Sequence, residues 1–252
     1  MLAMNRILRT ATMLGMAGVF SLSMAVKDSQ AGLGIRVDFG NNGSFESTVQ
    51  DEGVGDLATP VSGQVLSFNI SGADLLIAGG TSKPVTGNAL FPNLDMTIQY
   101  TTNPSIGNPS GGGSVKIQLS DTDFNGGLFS ALKFLEDIGG TIGSSSGGSV
   151  VINIYRDLAN TQFGTGAGTF VCTTGPLVAG SNSTGTSFAG SCGAGVTVDN
   201  QYSITMEAII VHKAEGQTSF DSNQFATPEP TSMLLLGFGL VGLGTWKRRR
   251  SA

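Results

Sequence analysis

The segment Asp121-Thr-Asp123-Phe-Asn125-Gly126 combines residue types that can coordinate a metal ion. Oxygen-bearing side chains at its first, third and fifth positions, with glycine at the sixth, match the beginning of a calcium-binding loop. The twelfth position, where such loops place a bidentate glutamate, is Leu132. A complete site would need another carboxylate, and the nearest are Glu136 and Asp137. The segment therefore predicts either a calcium site at Asp121, Asp123 and Asn125 or a turn capped by its aspartates, and no other cofactor is expected.

Candidate catalytic groups are few, because His212 is the only histidine. A Ser-His-Asp relay or a histidine metal cluster would have to be built around this one ring, and we predict instead a surface or strand-end histidine. The carboxylate pairs 51–52 and 136–137 are adjacent in sequence, and no pattern brings two distant carboxylates together across a cleft. The sequence therefore predicts no catalytic residues and no enzymatic activity.

Cys172 and Cys192 are the only cysteines, and they lie 20 positions apart. A redox or metal pair would favour C-x-x-C spacing or a nearby histidine, and this pair has neither. The two ends of the chain, described below, direct it through an oxidising compartment, where such a pair forms a disulfide. We predict a Cys172–Cys192 disulfide that holds the Gly- and Ser-rich loop 175–190.

Alternation of apolar and polar residues marks the elements that would position these groups. The clearest period-two faces are Met96, Ile98 and Tyr100; Val115, Ile117 and Leu119; Val150, Ile152 and Ile154; and Tyr202, Ile204, Met206, Ala208 and Ile210. Further strands are predicted at 35–39, 65–70, 75–78 and 169–173. Clusters of Gly, Asn and Ser separate them, which predicts an all-β, antiparallel, jelly-roll-like sandwich in one domain spanning residues 32–226.

Three segments outside these strands are predicted to form one helix and two loops. The run 128–138 predicts one short helix, because Leu128, Leu132 and Leu135 recur at helical spacing before a glycine stop. Segments 111–113 and 144–148 are too short to link domains and flank strands directly, so both are predicted to be hairpin loops.

Charge excludes one class of partner. Residues 32–226 contain six Lys or Arg against sixteen Asp or Glu, a net charge of about −10 with histidine neutral. Such a domain repels phosphate backbones, so nucleic acid is excluded. Charged residues are only 12% of the chain, and Ser, Thr, Asn and Gly fill the polar positions, which is typical of an extracellular β-sandwich.

The first 31 residues have the order of a secretory signal peptide. Arg6 and Arg9 precede an apolar run over 11–25, and small residues follow it. Cleavage after Ala31 fits best, with Ala25 as the alternative position. The run is too short for a stable membrane span, so we predict a removable signal helix; the alternative is a buried N-terminal helix.

The last 26 residues, 227–252, form a second processing segment. Pro228-Glu229-Pro230 is followed by an apolar run over 233–245, then by Trp246 and the basic cluster Lys247, Arg248, Arg249 and Arg250. Prolines keep the first part extended and outside any sheet. The apolar run forms a hydrophobic helix in the bilayer, tryptophan suits its interface, and the cations hold the end in the cytoplasm. Thirteen helical residues span only about 20 Å, short of a hydrocarbon core of about 30 Å, which predicts a temporary anchor.

This order of motif, hydrophobic run and terminal basic cluster resembles the PEP-CTERM tail of Gram-negative bacteria that make an exopolysaccharide. The resemblance implies export across the inner membrane, a transient stay there, and processing at or near the motif by a membrane protease called exosortase. It further implies delivery to the cell surface or matrix. There we expect the partner to be exopolysaccharide, another copy of the protein, or a surface. The alternative is a permanent C-terminal membrane anchor.

Two functional interpretations of the domain remain open. The first is a non-catalytic surface or matrix protein whose destination its tail determines. The second is a carbohydrate-binding or calcium-dependent adhesion module; sugar platforms need exposed aromatic rings, and the candidates are Tyr100, Tyr155 and Tyr202. An enzyme ranks third, because it would need a cleft that joins His212 to carboxylates. The ligand and the oligomeric state are not predicted.

Overall fold

The computed structural model describes residues 32–71, 74–102, 112–126, 131–179, 182–198, 200–228 and 237–238. Between residues 32 and 228 these residues form an antiparallel β-sandwich of two sheets and contain no helix. Within the described part of the chain, no helix has the length and apolarity needed to cross a membrane. The predicted signal peptide, 1–31, lies outside the described residues, as does the predicted hydrophobic helix apart from residues 237–238.

The described residues form thirteen strands. They are β1 (Gly34–Phe39), β2 (Ser47–Gln50), β3 (Gln64–Ser71), β4 (Asp74–Thr81), β5 (Asn93–Thr102), β6 (Gly113–Asn125), β7 (Ala131–Ser144), β8 (Gly148–Asp157), β9 (Phe170–Thr173), β10 (Leu177–Ala179), β11 (Asn182–Thr197), β12 (Gln201–His212) and β13 (Gly216–Pro228). Sheet A has the order β10-β8-β12-β6-β1-β2, with β9 also paired to β8. Sheet B has the order β11-β7-β13-β5-β4-β3.

The core lies between the inner faces of the two sheets. Each strand predicted from alternation is confirmed, because side chains two positions apart point to the same face and the apolar set is buried. In β5 the buried residues include Met96, Ile98 and Tyr100, and β6 opposes them with Ile117 and Leu119 from sheet A. Burial on the inner face therefore fixes the register of both sheets.

The prediction of a helix over 128–138 is wrong over its described part, because β7 covers Ala131–Ser144. Leu132, Phe134 and Ile138 are all buried on one face, at spacings of two and four. The leucine spacing that suggested a helix mixes this inner face with Leu135, which points to the opposite face. Pairing with β13 on one side and β11 on the other stabilises the extended form.

The predicted loop 175–190 is also wrong for most of its length, since it contains β10 and the first half of β11. β11 pairs with β7 from Asn182 to Thr197. Small residues fit here because side chains crowd the strand: a Cβ on Gly190 would lie 2.9 Å from Leu177, and one on Gly193 would lie 2.8 Å from Leu135. The glycine content therefore reflects close packing as well as turns.

The segments predicted as hairpin loops cross between sheets instead. The turn at 145–147 leads from β7 in sheet B to β8 in sheet A. Residue 113 begins β6 in sheet A, whereas the preceding strand in the chain, β5, belongs to sheet B. Local turn residues mark a reversal of direction, but they do not indicate whether the next strand pairs with the last one.

Antiparallel pairing gives the sandwich two distinct ends. We call the end where β13 finishes the tail end; β1 begins there, and β4 and β8 finish there. Its described loops are 51–63, 82–92 and 158–169. The opposite end, called the far end, carries the loops 40–46, 145–147 and 213–215.

Candidate functional site

β13 carries the chain out of the sandwich at the tail end. The strand pairs with β5 as far as Phe225 and with β7 as far as Pro228, which lies opposite Leu132. The prediction that 228–230 stays outside any sheet is therefore wrong for Pro228, which ends the ladder at a position that tolerates a missing N–H. The fold thus extends two residues past the predicted boundary at 226. Glu229, Pro230, Trp246 and the basic cluster 247–250 lie outside the described residues.

Asp121, the first residue of the predicted calcium segment, already has a cationic partner. Lys83 Nζ lies 2.8 Å from Asp121 Oδ2, and the hydroxyl of Ser82 donates to the same oxygen at 2.6 Å. The Lys83 ammonium also lies 4.3 Å from the centre of the Phe124 ring. Burial raises the pKa of Asp121, and Lys83 opposes that rise. A calcium ion at Asp121 would therefore have to displace this lysine from a buried site.

Asp123 contacts a different part of the molecule. Its backbone has a left-handed φ of 61° at a register shift between β6 and β12. Asn160 Nδ2 donates to its carboxylate at 2.7 Å, and the Asp123 backbone N–H donates to Asn160 Oδ1 at 2.8 Å. The bulge thus joins β6 to the loop 158–169.

The calcium hypothesis stays a prediction. Asn125, its third residue, ends β6, and its backbone N–H donates to the carbonyl of Ala89 at 2.7 Å. Within the described ranges, no three His, Cys, Asp or Glu side chains are placed to hold a metal ion. Calorimetric titration with calcium tests the hypothesis, with Asp123→Asn as the matched variant because asparagine tolerates the left-handed backbone. Binding heat that the variant abolishes would support a site at 121–125.

The predicted disulfide is confirmed, and it connects the two sheets. Cys172 lies in β9 of sheet A and Cys192 in β11 of sheet B, with Cα atoms 5.9 Å apart. β9 has only four residues and pairs with β8 alone. The disulfide therefore closes the sandwich along the side where the strands are shortest.

His212 ends β12, as predicted, but it is buried rather than on the surface. Its Nδ1 lies 3.0 Å from the Thr102 hydroxyl and its Nε2 lies 2.7 Å from the Thr218 hydroxyl. The ring stacks on Tyr100 with a centroid separation of 5.1 Å. Burial lowers the pKa of His212 to about 4, because desolvation disfavours the charged form. The carboxylate nearest this pair, Asp74, accepts a hydrogen bond from the Tyr100 hydroxyl at 2.9 Å.

Two of the three tyrosines predicted as sugar platforms cannot serve as such. Tyr100 and Tyr202 are fully buried, and Tyr202 packs between Phe124 and Phe134 with centroid distances of 5.9 and 6.2 Å. Tyr155 is partly exposed on the outer face of sheet A. Burial and the neighbouring Glu207 raise the pKa of Tyr155 to about 12.

A row of polar side chains crosses the outer face of sheet A and escaped the sequence analysis. Gln118 and Asn153 donate to the Glu207 carboxylate at 2.6 and 3.1 Å, and Tyr155 donates at 3.2 Å. Arg36 Nε donates to Gln118 Oε1 at 2.6 Å, and its guanidinium lies between two phenylalanine rings, Phe45 and Phe163. Both Glu207 oxygens are used internally, so the row holds four strands in register. In the sequence, the signal that could have predicted this row is the presence of single polar residues within otherwise apolar strands.

A groove opens on the outer face of sheet B at the far end. Its volume is about 460 Å³, and residues of β5, β7, β11, β13 and the turns after β7 and β12 line it. The polar lining groups are hydroxyls, one amide and one carboxylate, from Thr101, Thr141, Ser145, Ser219, Gln217 and Glu215. Such a lining can hydrogen bond to a polyhydroxylated ligand, although none of the described residues that line the groove is aromatic.

A protein-family model, the PEP-CTERM protein-sorting motif, matches residues 226–250. The chain carries a PEP-CTERM sorting motif. The matched region begins inside β13, so the PEP-CTERM segment is continuous with a central strand of sheet B, with no linker between them. Comparison with curated proteins found no match.

The PEP-CTERM chain is similar in structure to several carbohydrate-binding modules. One is TmCBM61, solved with β-1,4-galactotriose, at 8% identity and a TM-score of 0.34, covering 69% of this chain and 92% of that one. Another is the CBM22-1 xylan-binding domain of Paenibacillus barcinonensis Xyn10C, at 10% identity and a TM-score of 0.28, covering 66% and 85%. A third is the family 11 module of Clostridium thermocellum Lic26A-Cel5E, at 10% identity and a TM-score of 0.26, covering 68% and 91%. At these values the similarity carries no argument about the ligand of the PEP-CTERM chain.

Proposed function

We propose that this chain is an exported, non-catalytic protein of the bacterial cell surface or extracellular matrix, which an exosortase sorts and cleaves through its PEP-CTERM segment. The observation that supports this function is the sorting motif at residues 226–250. It places a protease recognition sequence, a short hydrophobic run and a basic stop in that order after a folded β-sandwich. The signal-like segment 1–31 supplies the matching entry into the export pathway.

The structure suggests where cleavage can occur without damage to the fold. β13 is paired with β7 up to Pro228, and a paired backbone is not accessible to a protease active site. A cut at or beyond Glu229 leaves all thirteen strands intact. The hydrophobic run then remains in the membrane with the basic cluster, and the sandwich leaves the inner membrane.

Trp246 provides a direct reporter of this processing, because it is the only tryptophan and lies beyond the proposed cut. We expect surface-released protein to have an intact mass that ends near residues 228–230 and to show tyrosine-like emission. Released protein that retains tryptophan emission, or a mass that includes Lys247 to Ala252, would show that the tail is a permanent anchor.

A matched pair of variants tests the motif without altering β13. Glu229→Ala with Pro230→Ala removes two motif residues beyond the described strand, and we expect it to accumulate as a membrane-bound form that keeps Trp246. Thr231→Ala with Ser232→Ala changes the next two residues and serves as the control. Equal release of both variants would contradict recognition through the motif.

The second candidate function is glycan binding, which the groove on sheet B favours. The hydroxyl, amide and carboxylate groups around this groove can form paired hydrogen bonds with sugar hydroxyls. Its place at the far end, opposite Pro228, means that a membrane-tethered chain would present the groove away from the tail.

A glycan array with residues 32–228 tests this second function. We expect binding to exopolysaccharide fragments that weakens in Gln217→Ala, which removes the amide of the groove. Gln201→Ala is the control, because Gln201 is exposed at the start of β12 at the other end of the molecule. Absence of any glycan signal, or equal weakening by both variants, would leave the groove without a role in sugar binding.

A further inference from the structure

Exposed apolar side chains are concentrated at the tail end of the sandwich. The loops 51–63, 82–92 and 158–169 together carry six exposed large hydrophobic residues: Val54, Leu57, Val61, Val85, Phe91 and Leu158. Val54 is 100% exposed and Leu57 is 62% exposed. None of the described far-end loops, 40–46, 145–147 and 213–215, carries such a residue, although Ile70 and Val178, near the far ends of strands β3 and β10, are 65% and 68% exposed. Apolar groups collected at one end of a molecule mark an interaction surface.

Hydrogen bonds join two of these loops to each other and to the strands beside them. The Gly63 N–H donates to Asp51 Oδ2 at 2.7 Å, and the Ser82 N–H donates to the Gly63 carbonyl at 2.9 Å. The Asn125 N–H, at the end of β6, donates to the carbonyl of Ala89 at 2.7 Å. These bonds hold the exposed side chains of 51–63 and 82–92 on a preorganised surface.

Before cleavage, the short connection to the hydrophobic run determines which partner lies next to this surface. Four residues separate Pro228, the last strand residue, from Met233, where the hydrophobic run begins. Even a fully extended connection of this length spans at most about 17 Å. A chain whose hydrophobic run lies in the bilayer therefore keeps its tail end close to the lipid headgroups.

We propose that the tail-end loops contact the lipid bilayer itself as long as the chain carries its sorting tail. The proposal rests on the proposed function, because it requires the tail to lie in the membrane. Val54, Leu57 and Val61 enter the interfacial region of the bilayer, and Val85, Phe91 and Leu158 border it. The contact orients the sandwich upright and presents the residues after Pro228 at the membrane surface.

The energetics explain why such a contact would be temporary. Full burial of one valine or leucine side chain contributes about 1.5–3 kcal/mol, and interfacial contact of a few side chains contributes less than their sum. The short tether supplies a high effective concentration of bilayer, which cleavage abolishes. Glu52, exposed in the same loop as Val54, disfavours anionic lipid, so the partner is a bilayer with little net charge.

The test uses the precursor without its signal, residues 32–252, reconstituted in phosphatidylcholine vesicles. A single added cysteine, Val54→Cys, carries an environment-sensitive fluorophore while the native disulfide remains oxidised. Val178→Cys is the matched control, because Val178 is also an exposed valine, 68% exposed, in β10 of sheet A away from the tail end. Val61→Cys provides a second labelled position in the same loop as Val54.

We expect the label at 54 and at 61 to gain intensity and shift to shorter wavelength in vesicles, and to be quenched by lipids with brominated acyl chains. The label at 178 should keep its emission in water. Trp246 reports separately whether the tail has inserted. Inserted Trp246 with unshifted labels at 54 and 61 would overturn the membrane contact and leave the sorting function intact. Failure of Trp246 to insert would overturn both, and a shift seen only in native membranes would assign the surface to a membrane protein instead.

Discussion

At the residue scale, two buried titratable side chains make the stability of the sandwich depend on pH. Glu136 is fully buried in β7, where it accepts a hydrogen bond from the Ser222 hydroxyl through one oxygen, while Oε2 has no partner. Burial raises the pKa of Glu136 to about 8, and the nearby Asp137 and Asp95 add to the rise. Burial also lowers the pKa of His212 to about 4. The folded protein therefore holds both groups in their neutral forms near pH 7.

Glu136 should make the protein less stable as pH rises from 6.5 to 8. Its pKa is about 8 folded and about 4.5 unfolded, so in this range the folded state binds more protons and the free energy of unfolding falls with pH. We expect a loss of roughly 2 kcal/mol over this range, measured by urea unfolding. Glu136→Gln should flatten the dependence, and Glu215→Gln, which changes an exposed glutamate in the turn after β12, should not. A flat wild-type profile would contradict the buried carboxyl.

His212 should remain neutral well below the usual histidine range. Because it is the only histidine, its ring protons are assigned in an NMR spectrum without further labelling. We expect a titration midpoint near pH 4, and a contribution to stability that is lost as pH falls from about 6.5 through that midpoint. A midpoint near 6.5 would show that the ring reaches solvent.

At the element scale, strand β9 and the disulfide together close the side of the sandwich where the strands are shortest. β9 contributes four residues with a register shift against β8, so its backbone pairing is weak. The covalent link to β11 joins sheet A to sheet B there. Cys192 lies directly opposite Glu136 in the β11–β7 pairing, so the link is anchored next to the buried carboxyl.

Removal of the disulfide should lower stability substantially. Cys172→Ala with Cys192→Ala frees a segment whose ends are 20 positions apart, for which chain entropy gives a loss of about 3 kcal/mol. We expect a lower unfolding temperature in a thermal scan. Chemical reduction of the wild type should give the same result, and two free thiols in periplasmic material would contradict bond formation on export.

Sequence patterns predicted the strands whose apolar residues alternate without interruption. They failed where contacts with neighbouring strands determine the backbone conformation. β7 has alternating burial at Leu132, Phe134, Glu136 and Ile138, but the polar Glu136 on its inner face interrupts the apolar alternation in the sequence. β11 has few large apolar residues, and a Cβ at Gly190 or Gly193 would lie within 3 Å of a neighbouring leucine. The ion pair of Asp121 with Lys83 and the row around Glu207 join residues 38 or more positions apart, so no local sequence pattern predicted them.

At the scale of the whole molecule, the sandwich is polarised. The described chain begins at the tail end with β1 and leaves there at Pro228, together with the loops that carry exposed apolar residues. The groove on sheet B lies at the far end. In the proposed membrane-tethered precursor, the end that faces the bilayer is therefore separate from the end that carries the groove.

The boundary of the independent domain should lie at Pro228. We expect residues 32–228 to be soluble and to unfold cooperatively, because all thirteen strands are present. A shorter version, 32–219, lacks Phe220 and Ala226 from the core and leaves β5 and β7 without most of the strand between them, so it should fail to fold. Circular dichroism and thermal scans compare the two, and a cooperative transition in 32–219 would show that β13 is dispensable.

The position of β13 also determines how the molecule bears force. Any pull on the uncut tail enters the sandwich at Pro228, along the axis of a strand that is paired over Gly216–Pro228 with β7 and over Gly216–Phe225 with β5. Such a load shears two rows of hydrogen bonds at once instead of opening them one after another. In the proposed membrane-anchored precursor this arrangement resists unfolding by force on the tail, and a pulling experiment should find the sandwich mechanically stronger when held at Pro228 than when held at the edge strand β3.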